Sequence, residues 1–299
     1  MVFVDILVVG LLPRDSGKTT VSRFIAGFLR ENGVAVSVFK PVSGHNWFYQ
    51  YEAYLRSFEC GVLFCEDIIK LRDAAGIDEP YELLNPVDFL LSPLDPFFYA
   101  DRDSIGEFFI RSSIEFAQAV IGRITYVEDD KLFNTYLLNE EALHESIMRI
   151  EYIGRFLDNA DKVVKPRDWR EFEHILYDLT PKATSTCYNR LKSKYDVMVI
   201  ESFNDAAYPC NEAFNSKYVV VVSPGRVFLY SGEDYVKVVS TLDALYRKPL
   251  RLEDVISYLK PLETFTYEPA PPEALKDLDK LLKWFKEYLG KLVNIFLKG

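Results

Sequence analysis

The feature that most constrains the fold is a change of hydrophobic pattern within the first 40 residues. Residues 3–9 form an almost continuous apolar run rich in β-branched side chains, typical of a central strand buried on both faces of a parallel sheet. From Lys18 onward the apolar residues recur at helical spacing until Gly33 supplies a stop. A second apolar run covers residues 34–39. A strand, a helix and a strand in this order predict a right-handed crossover between parallel strands, and therefore an α/β fold.

The segment between the first strand and the helix has the composition of a phosphate-binding loop. It contains Ser16-Gly17-Lys18-Thr19-Thr20, where the backbone N–H groups of a turn and of a helix N-terminus point at phosphate oxygens. In such a loop the lysine reaches the β- and γ-phosphates and the first threonine hydroxyl binds Mg²⁺. The usual pattern has glycine at position 12, but this chain has Leu12, and its nearest glycine is Gly10. The predicted nucleotide-binding residues are Asp15, Ser16, Gly17, Lys18, Thr19 and Thr20.

The rest of the chain predicts one P-loop NTPase domain over residues 1–299, with a mostly parallel sheet and helices on both faces. Further buried strands are predicted at 196–200 and 218–222. Apolar residues at helical spacing predict a helical insertion over about 100–190. A final amphipathic helix is predicted over 271–298, with an apolar face suited to a core or a dimer interface.

Composition excludes several classes of function. The net charge is −10 and no block of Lys and Arg interrupts it, so nucleic acid is not an expected partner. No apolar stretch is long enough for a membrane span and no cationic leader precedes the first strand, so we expect a cytoplasmic protein. The four cysteines and three histidines lack zinc-binding spacing. Scarce glutamine is typical of thermophiles, in which intracellular disulfides occur, so the redox state of the cysteines stays open.

Motifs that follow the loop in order give the chain a resemblance to a known family. The second strand ends in Phe39-Lys40-Pro41-Val42-Ser43-Gly44, with Lys40 22 residues after Lys18. Glu66-Asp67 opens a predicted helix, Asn-Pro and Ser-Pro turns follow at 85–86 and 92–93, and a later strand ends at Glu201. This series resembles dethiobiotin synthetase and its relatives in the SIMIBI class of P-loop proteins, over about 1–100 and 184–228.

The resemblance implies an ATP- and Mg²⁺-dependent enzyme with a small polar substrate, and a homodimer. It implies catalytic roles for Lys18 and Lys40, substrate contacts at Ser43 and Gly44, and metal binding by Thr19, Asp67 and Glu201. Lys40 would stand at the strand end, where open α/β sheets bind ligands and where an ammonium can neutralise phosphoryl charge. Asp67 has an alternative role as a negative charge at a helix N-terminus. ATP rather than GTP is implied by the resemblance alone.

Two departures from the family bear on the substrate and on catalysis. Phe203 and Asn204 stand where the family has a glycine-rich substrate-binding turn, so we expect them to contact a different substrate, such as a carboxylate or carbamate. Arg14 lies inside the loop, where a guanidinium could brace the transferred phosphate in cis or across a dimer, or simply face solvent. His45, just past the lysine motif, is predicted to lie on the surface.

Two functions from different classes fit these patterns. The first is phosphoryl transfer that activates a small substrate. The alternative is a regulatory or chaperone-type nucleotide switch, in which slow hydrolysis moves the predicted insertion between two arrangements and the partner is a protein. The turn at 223–226 contacts the nucleotide or a second substrate, or is a plain turn.

Overall fold

The computed structural model describes residues 4–298, which form two compact units. The first unit contains the described residues of Met1–Pro41, Asp67–Glu79 and Tyr188–Gly299. The second contains Val42–Glu66 and Pro80–Cys187. Each unit has its own sheet. The second unit is larger than the predicted insertion and begins at Val42, within the lysine motif.

Among the described residues, six strands form the sheet of the first unit and five form the sheet of the second unit. In chain order they are β1 (Val4–Gly10), β2 (Val36–Phe39), β3 (Val42–Asn46), β4 (Val87–Leu91), β5 (Ala119–Glu128), β6 (Lys131–Leu138), β7 (Lys162–Val164), β8 (Val197–Glu201), β9 (Ser216–Ser223), β10 (Arg226–Ser231) and β11 (Glu263–Thr266).

The α-helices range from one turn to more than five turns. In chain order they are α1 (Lys18–Glu31), α2 (Tyr51–Cys60), α3 (Glu66–Ala75), α4 (Tyr81–Leu84), α5 (Pro96–Ala100), α6 (Ile105–Ser112), α7 (Glu140–Glu145), α8 (Gly154–Asp158), α9 (Trp169–Lys192), α10 (Gly232–Tyr246), α11 (Leu252–Ile256), α12 (Pro272–Lys276) and α13 (Leu278–Lys298).

The sheet of the first unit has the order β11-β10-β9-β1-β8-β2. Its strands β9, β1, β8 and β2 are parallel, and β10 and β11 extend the β9 edge as antiparallel strands. The predicted first strand is confirmed as an interior strand, apart from Phe3, which lies outside the described residues. β8 separates β1 from β2, so the predicted crossover joins two strands that are parallel but not adjacent. The carboxyl ends of the four parallel strands lie at one edge of the sheet.

Helix α1 packs on the C-terminal helix α13 within the first unit. The rings of Phe24 and Phe285 have centroids 5.8 Å apart, and a Cβ at Gly27 would lie 3.0 Å from the Leu282 side chain. The C-terminal helix predicted over 271–298 is two helices, α12 and α13, separated by Asp277. Its predicted apolar face therefore belongs to the core of the first unit.

The sheet of the second unit has the order β3-β4-β5-β6-β7, with both parallel and antiparallel neighbours. Strands β5 and β6 form a hairpin whose two loop residues, Asp129 and Asp130, have φ values of 48° and 60°. Positive φ at both loop residues is the geometry that a tight hairpin requires. Phe172 and Leu176 of α9 pack against strands of this sheet to form one of its hydrophobic clusters.

The structure corrects two predictions about this architecture. The stretch over 100–190 is not a helical insertion, because β5, β6 and β7 lie within it. Leu137 and Leu138, which suggested helical spacing, belong to β6. Their distances along the chain to Leu143 of α7 imitate the period of a helix. The chain also contains two sheets instead of one. The α/β class is confirmed.

Candidate functional site

The candidate site begins at the loop that joins β1 to α1. Gly17, the residue before the helix, has φ 89°, a left-handed conformation that glycine adopts without strain. No side chain caps α1, and its first turn contains no acidic residue. A Cβ at Gly17 would also lie 3.1 Å from the Tyr267 hydroxyl. The start of α1 is therefore an uncapped helix N-terminus with the partial positive charge that attracts anions.

Lys18 folds back over the loop instead of extending into solvent. Its Nζ donates hydrogen bonds to the Asn204 carbonyl oxygen at 2.6 Å and to Ser16 Oγ at 3.3 Å. A Cβ at Gly10 would lie 2.7 Å from this Nζ and 2.5 Å from Ser16 Oγ, so only glycine leaves room for the lysine here. The glycine that falls outside the usual motif spacing therefore has a steric role of its own.

Burial and the nearby Lys40 ammonium lower the pKa of Lys18, while the carboxylates of Glu201, Asp67 and Asp205 oppose that shift. Desolvation is the largest of these causes because an ammonium loses favourable hydration in the protein. An added anion would restore part of the lost stabilisation of the charged amine. The electrostatics of Lys18 thus favour an anionic ligand.

Lys40 and Glu201 meet because of the strand register. Phe39 of β2 pairs with Ile200 of β8, so the next residues, Lys40 and Glu201, emerge side by side at the ends of adjacent parallel strands. Lys40 Nζ lies 2.7 Å from Glu201 Oε1 and 2.8 Å from Asp67 Oδ2. Lys40 is 4% exposed and Glu201 is 0% exposed, so this ion pair is buried.

Thr19 connects this ion pair to the start of α1. Its hydroxyl lies 3.0 Å from Asp67 Oδ1 and 3.1 Å from Glu201 Oε1, within hydrogen-bond distance of both carboxylates. Asp67 approaches from α3, at the second residue of that helix. Four segments of the chain therefore place one hydroxyl, one ammonium and two carboxylates in contact.

The Lys40 ammonium faces two carboxylates in this cluster. Burial raises the pKa of Asp67, but the Lys40 ammonium and the hydrogen bonds from Lys40 and Thr19 outweigh it, so the pKa lies below its usual value. Asp67 is therefore ionised at neutral pH. The second oxygen of Glu201, Oε2, is buried and has no hydrogen-bond partner among residues 4–298. A buried carboxylate oxygen without a partner is costly, and it marks a position for a further cation, water or donor.

The oxygen atoms of Thr19, Asp67 and Glu201 are the donor type that Mg²⁺ prefers. Within residues 4–298 no group of three or more His, Cys, Asp or Glu side chains is arranged to hold a metal ion by itself. Mg²⁺ usually has few protein ligands and takes the others from phosphate and water. The unpartnered Glu201 Oε2 and the adjacent hydroxyl fit that mode, in which the metal would arrive with a phosphate ligand.

The remaining loop residues differ in exposure. Ser16 is buried, Thr20 is half-buried, and Arg14 and Asp15 are exposed. Asp15 has φ 53°, in the left-handed region, which turns the chain just before Ser16. The exposed Arg14 side chain is available to a ligand or to solvent.

The predicted substrate residues do not lie in one unit. Phe203 and Asn204 follow β8 in the first unit, and Asn204 has φ 43° with its carbonyl on Lys18. Ser43 and Gly44 lie on β3 in the second unit, where Ser43 Oγ donates to Asp88 Oδ1 at 2.6 Å. The prediction that His45 is a surface residue is wrong, because it is 1% exposed and packs on the same carboxylate.

Sequence reasoning missed one residue beside the loop. The Tyr267 hydroxyl donates to the Ser223 carbonyl oxygen at 2.9 Å, which joins β11 to the turn after β9. The Tyr267 N–H also donates to the Gly225 carbonyl oxygen at 3.1 Å. The turn at 223–226 and Tyr267 therefore flank Gly17 within the first unit. No local pattern signals this contact, since Tyr267 lies 250 residues after Gly17.

No protein-family model matches the chain, and no curated protein matches it. Within residues 4–298, no helix has both the length and the apolar character needed to cross a membrane. The four cysteines are all free, with Cys60 exposed and the other three buried. The functional conclusion accordingly depends on the geometry of the loop and of the Thr19, Lys40, Asp67 and Glu201 cluster.

Proposed function

We propose that the chain binds ATP with Mg²⁺ at the N-terminus of α1 and uses the γ-phosphate to activate a small polar substrate. The observation that carries the proposal is the contact of Thr19, Lys40, Asp67 and Glu201 directly beside an uncapped helix start. A structural ion pair alone would not require a hydroxyl from the first turn of that helix. The unpartnered Glu201 Oε2 adds a vacant acceptor to the same cluster.

The loop residues would bind the phosphates in this proposal. Backbone N–H groups from Asp15 to Thr20 would face the phosphate oxygens, as at other helix N-termini that bind anions. Lys18 would exchange its bond to the Asn204 carbonyl oxygen for a charge-assisted bond to phosphate, which is roughly twice as strong as a bond between neutral groups. Arg14, which is exposed, would reach the outer phosphate oxygens.

Thr19, Asp67 and Glu201 would hold Mg²⁺, directly or through water. When bound, the ion would offset the charge that develops during phosphoryl transfer. The Lys40 ammonium now occupies the space between the two carboxylates. In the proposed role, the Lys40 ammonium would offset the negative charge of the transferred phosphate. Lys40 is thus the proposed catalytic cation, with Glu201 as its resting partner.

The substrate class is a small polar compound, such as a carboxylate or carbamate, that receives or is activated by the phosphoryl group. Phe203 and Asn204 immediately follow Glu201 and are the first-unit residues proposed to contact it. A homodimer, a cytoplasmic location and the absence of nucleic-acid and membrane partners remain part of the proposal.

The bond from Lys18 to the Asn204 carbonyl oxygen favours a second candidate, the nucleotide switch. Asn204 is in the left-handed region, and the segment around it is tied to α11 because the Leu252 N–H donates to the Asp205 carbonyl oxygen at 2.8 Å. A nucleotide whose phosphate binds Lys18 would break the hydrogen bond from Lys18 to the Asn204 carbonyl oxygen, which is one of the contacts of this segment. A switch would hydrolyse ATP slowly without any small substrate and would change the protease sensitivity of residues 202–206.

The experiment is a titration of the full chain with a fluorescent ATP analogue, with and without Mg²⁺. We expect saturable binding that strengthens with Mg²⁺. Lys18→Ala should weaken binding about 10- to 100-fold, as expected when a charge-assisted hydrogen bond worth about 1.5–3 kcal/mol is lost. Lys40→Ala should keep most of the binding but abolish ATP turnover.

Lys237→Ala is the matched control, because Lys237 is an exposed lysine of the first unit that pairs with Glu233. It should leave binding and turnover unchanged. Failure of the unmodified chain to bind the analogue, or equal binding by Lys18→Ala and Lys237→Ala, would overturn the proposal.

A further inference from the structure

The Lys40 ammonium contacts both of the carboxylates that the proposed function assigns to Mg²⁺. Its Nζ lies 2.7 Å from Glu201 Oε1 and 2.8 Å from Asp67 Oδ2, so one ammonium forms an ion pair with each carboxylate. All three residues belong to the first unit. A positive charge of the chain itself therefore lies within the proposed metal site.

The fold restricts the position of this ammonium. Lys40 directly follows β2, and Pro41 follows Lys40. A residue before proline is confined mainly to extended backbone conformations, which limits the directions that its side chain can take. The Lys40 side chain is only 5% exposed, so packing restricts it further. Its two ion pairs are therefore a feature of the fold, unlike the contacts of a mobile surface lysine.

Burial alone does not keep a solvent cation away from these carboxylates. The Glu201 side chain is fully buried, but 36% of the Asp67 side chain is exposed. A hydrated ion can therefore approach the pair from the Asp67 side. The obstacle that it meets is the charge of Lys40.

The charges of the groups in contact show why that obstacle is effective. Asp67 and Glu201 contribute two negative charges, and the Lys40 ammonium offsets one of them. An added Mg²⁺ would therefore leave an excess of positive charge. Like charges at contact distance in a protein repel strongly, and a divalent ion doubles the repulsion. Burial and the Lys40 charge lower the pKa of Lys18, so this second ammonium is also close enough to oppose a free cation.

A triphosphate reverses this balance. A nucleoside triphosphate that carries Mg²⁺ still has a net negative charge, so the ammonium groups of Lys18 and Lys40 attract the complex although they repel the bare ion. The metal and the nucleotide then satisfy the charges of the site only when both are present.

We propose that Lys40 makes metal binding conditional on the nucleotide. Its ammonium excludes free Mg²⁺ from Asp67 and Glu201, and the site accepts Mg²⁺ together with a triphosphate. Lys40 is thus a specificity-determining residue that distinguishes the magnesium–nucleotide complex from the free ion. This role rests on the proposed function, which takes Thr19, Asp67 and Glu201 as the metal-binding residues.

The experiment measures Mg²⁺ binding to the full chain without nucleotide, by isothermal titration calorimetry with magnesium chloride at pH 7.5. The unmodified chain should show no saturable binding. Lys40→Met should bind one Mg²⁺ per chain, at least about 100-fold more tightly than the unmodified chain, because the repulsion is removed. Adding Glu201→Gln to Lys40→Met should abolish this binding, since one of the two carboxylates is then lost.

Lys237→Met is the matched control. Lys237 also pairs with a glutamate, Glu233, but both side chains of that pair are exposed on α10. Removal of a lysine from this surface pair should create no Mg²⁺ site, so a gain of binding in Lys40→Met alone would assign the effect to the proposed metal site.

Lys40→Met leaves the buried Glu201 carboxylate unpaired, so this variant is expected to be less stable than the unmodified chain. Denaturant unfolding is therefore measured with and without Mg²⁺. The ion should stabilise Lys40→Met and leave the unmodified chain unchanged, because a ligand that binds only the folded state stabilises it. A Lys40→Met chain that stays unfolded in Mg²⁺ would overturn the proposal, since the ion would then not replace the ammonium.

Saturable binding of free Mg²⁺ by the unmodified chain, or no gain of binding in Lys40→Met, would also overturn the proposal. If the unmodified chain binds the ATP analogue with Mg²⁺ but binds free Mg²⁺ as well, only the role of Lys40 fails. If the unmodified chain does not bind the ATP analogue at all, the proposed function itself fails.

Discussion

Asp5 offers the sharpest test of the electrostatics of the first unit, because the structure buries its carboxyl on the central strand β1. Asp5 is 2% exposed. Its Oδ2 accepts a hydrogen bond from the Tyr188 hydroxyl at 2.5 Å, and its Oδ1 has no hydrogen-bond partner among residues 4–298. Burial raises the pKa of Asp5 to about 6, although the Tyr188 hydrogen bond and the Lys192 charge partly oppose this.

The magnitude follows from the difference between this pKa and the ordinary value of 3.8. At about 1.4 kcal/mol per pH unit, ionisation of Asp5 costs the folded state about 3 kcal/mol relative to the unfolded chain. The folded chain holds its proton more tightly than the unfolded chain does. Stability from this group is therefore fully present below pH 3.8 and is lost as the pH rises through about 6.

The perturbation is Asp5→Asn, which keeps the shape of the side chain and removes the titration. We expect the unfolding free energy of the variant, relative to that of the unmodified chain, to rise by about 2.5 kcal/mol between pH 4 and pH 7.5, because the rest of the difference lies below pH 4. Tyr188→Phe should have the opposite effect, a steeper loss of stability with pH, because it removes a bond that favours the charged carboxylate.

The assay is chemical denaturation at a series of pH values, followed by fluorescence. Asp279→Asn, which changes an exposed carboxyl in the first turn of α13, is the control for the loss of a surface carboxyl. A flat or falling difference for Asp5→Asn would refute the claim that the folded chain holds this carboxyl protonated near pH 5.

Three further predictions concern the candidate site. Lys40→Met should destabilise the chain by about 3–5 kcal/mol, because it leaves the buried Glu201 carboxylate unpaired. Adding Glu201→Gln should restore part of that loss. Equal stabilities of the single and double variants in denaturation would contradict the pairing. Glu201→Gln alone should remove the strengthening of ATP-analogue binding by Mg²⁺, and an unchanged Mg²⁺ titration would exclude Glu201 from the metal site. Gly10→Ala should weaken ATP-analogue binding about tenfold or more, because the added Cβ would lie 2.5 Å from Ser16 Oγ and 2.7 Å from Lys18 Nζ and would displace that amine. Unaltered binding would contradict the steric role of Gly10.

Local pattern was enough to predict the elements that frame the site. Residues 4–10 and 18–31 form the strand and helix that the hydrophobic periodicity indicates, and strands at 197–201 and 216–223 cover the two later apolar runs. Interior parallel strands are buried on both faces, so they are continuous apolar runs, and an amphipathic helix has one apolar stripe. Both signals depend only on neighbours in the chain.

The error over 100–190 has an equally local cause. Short apolar stretches fit a buried strand or a helix face almost equally well, and β6 and α7 placed their leucines at spacings that imitate a helix. The two-residue loop Asp129-Asp130 was the available signal for a hairpin. Acidic residues accept the positive φ that such a loop demands, although less readily than glycine.

The sequence by itself determined the chemical inventory of the candidate site, which is a helix start preceded by glycine, two lysines, a threonine and two carboxylates. Only the tertiary structure decided which of these residues meet. The register of β2 on β8 joins Lys40 to Glu201, and the approach of α3 adds Asp67. It also assigned Ser43, Gly44 and His45 to a separate unit with its own sheet. Strand order and register depend on packing between segments up to 200 residues apart, and no periodicity within a segment encodes that packing.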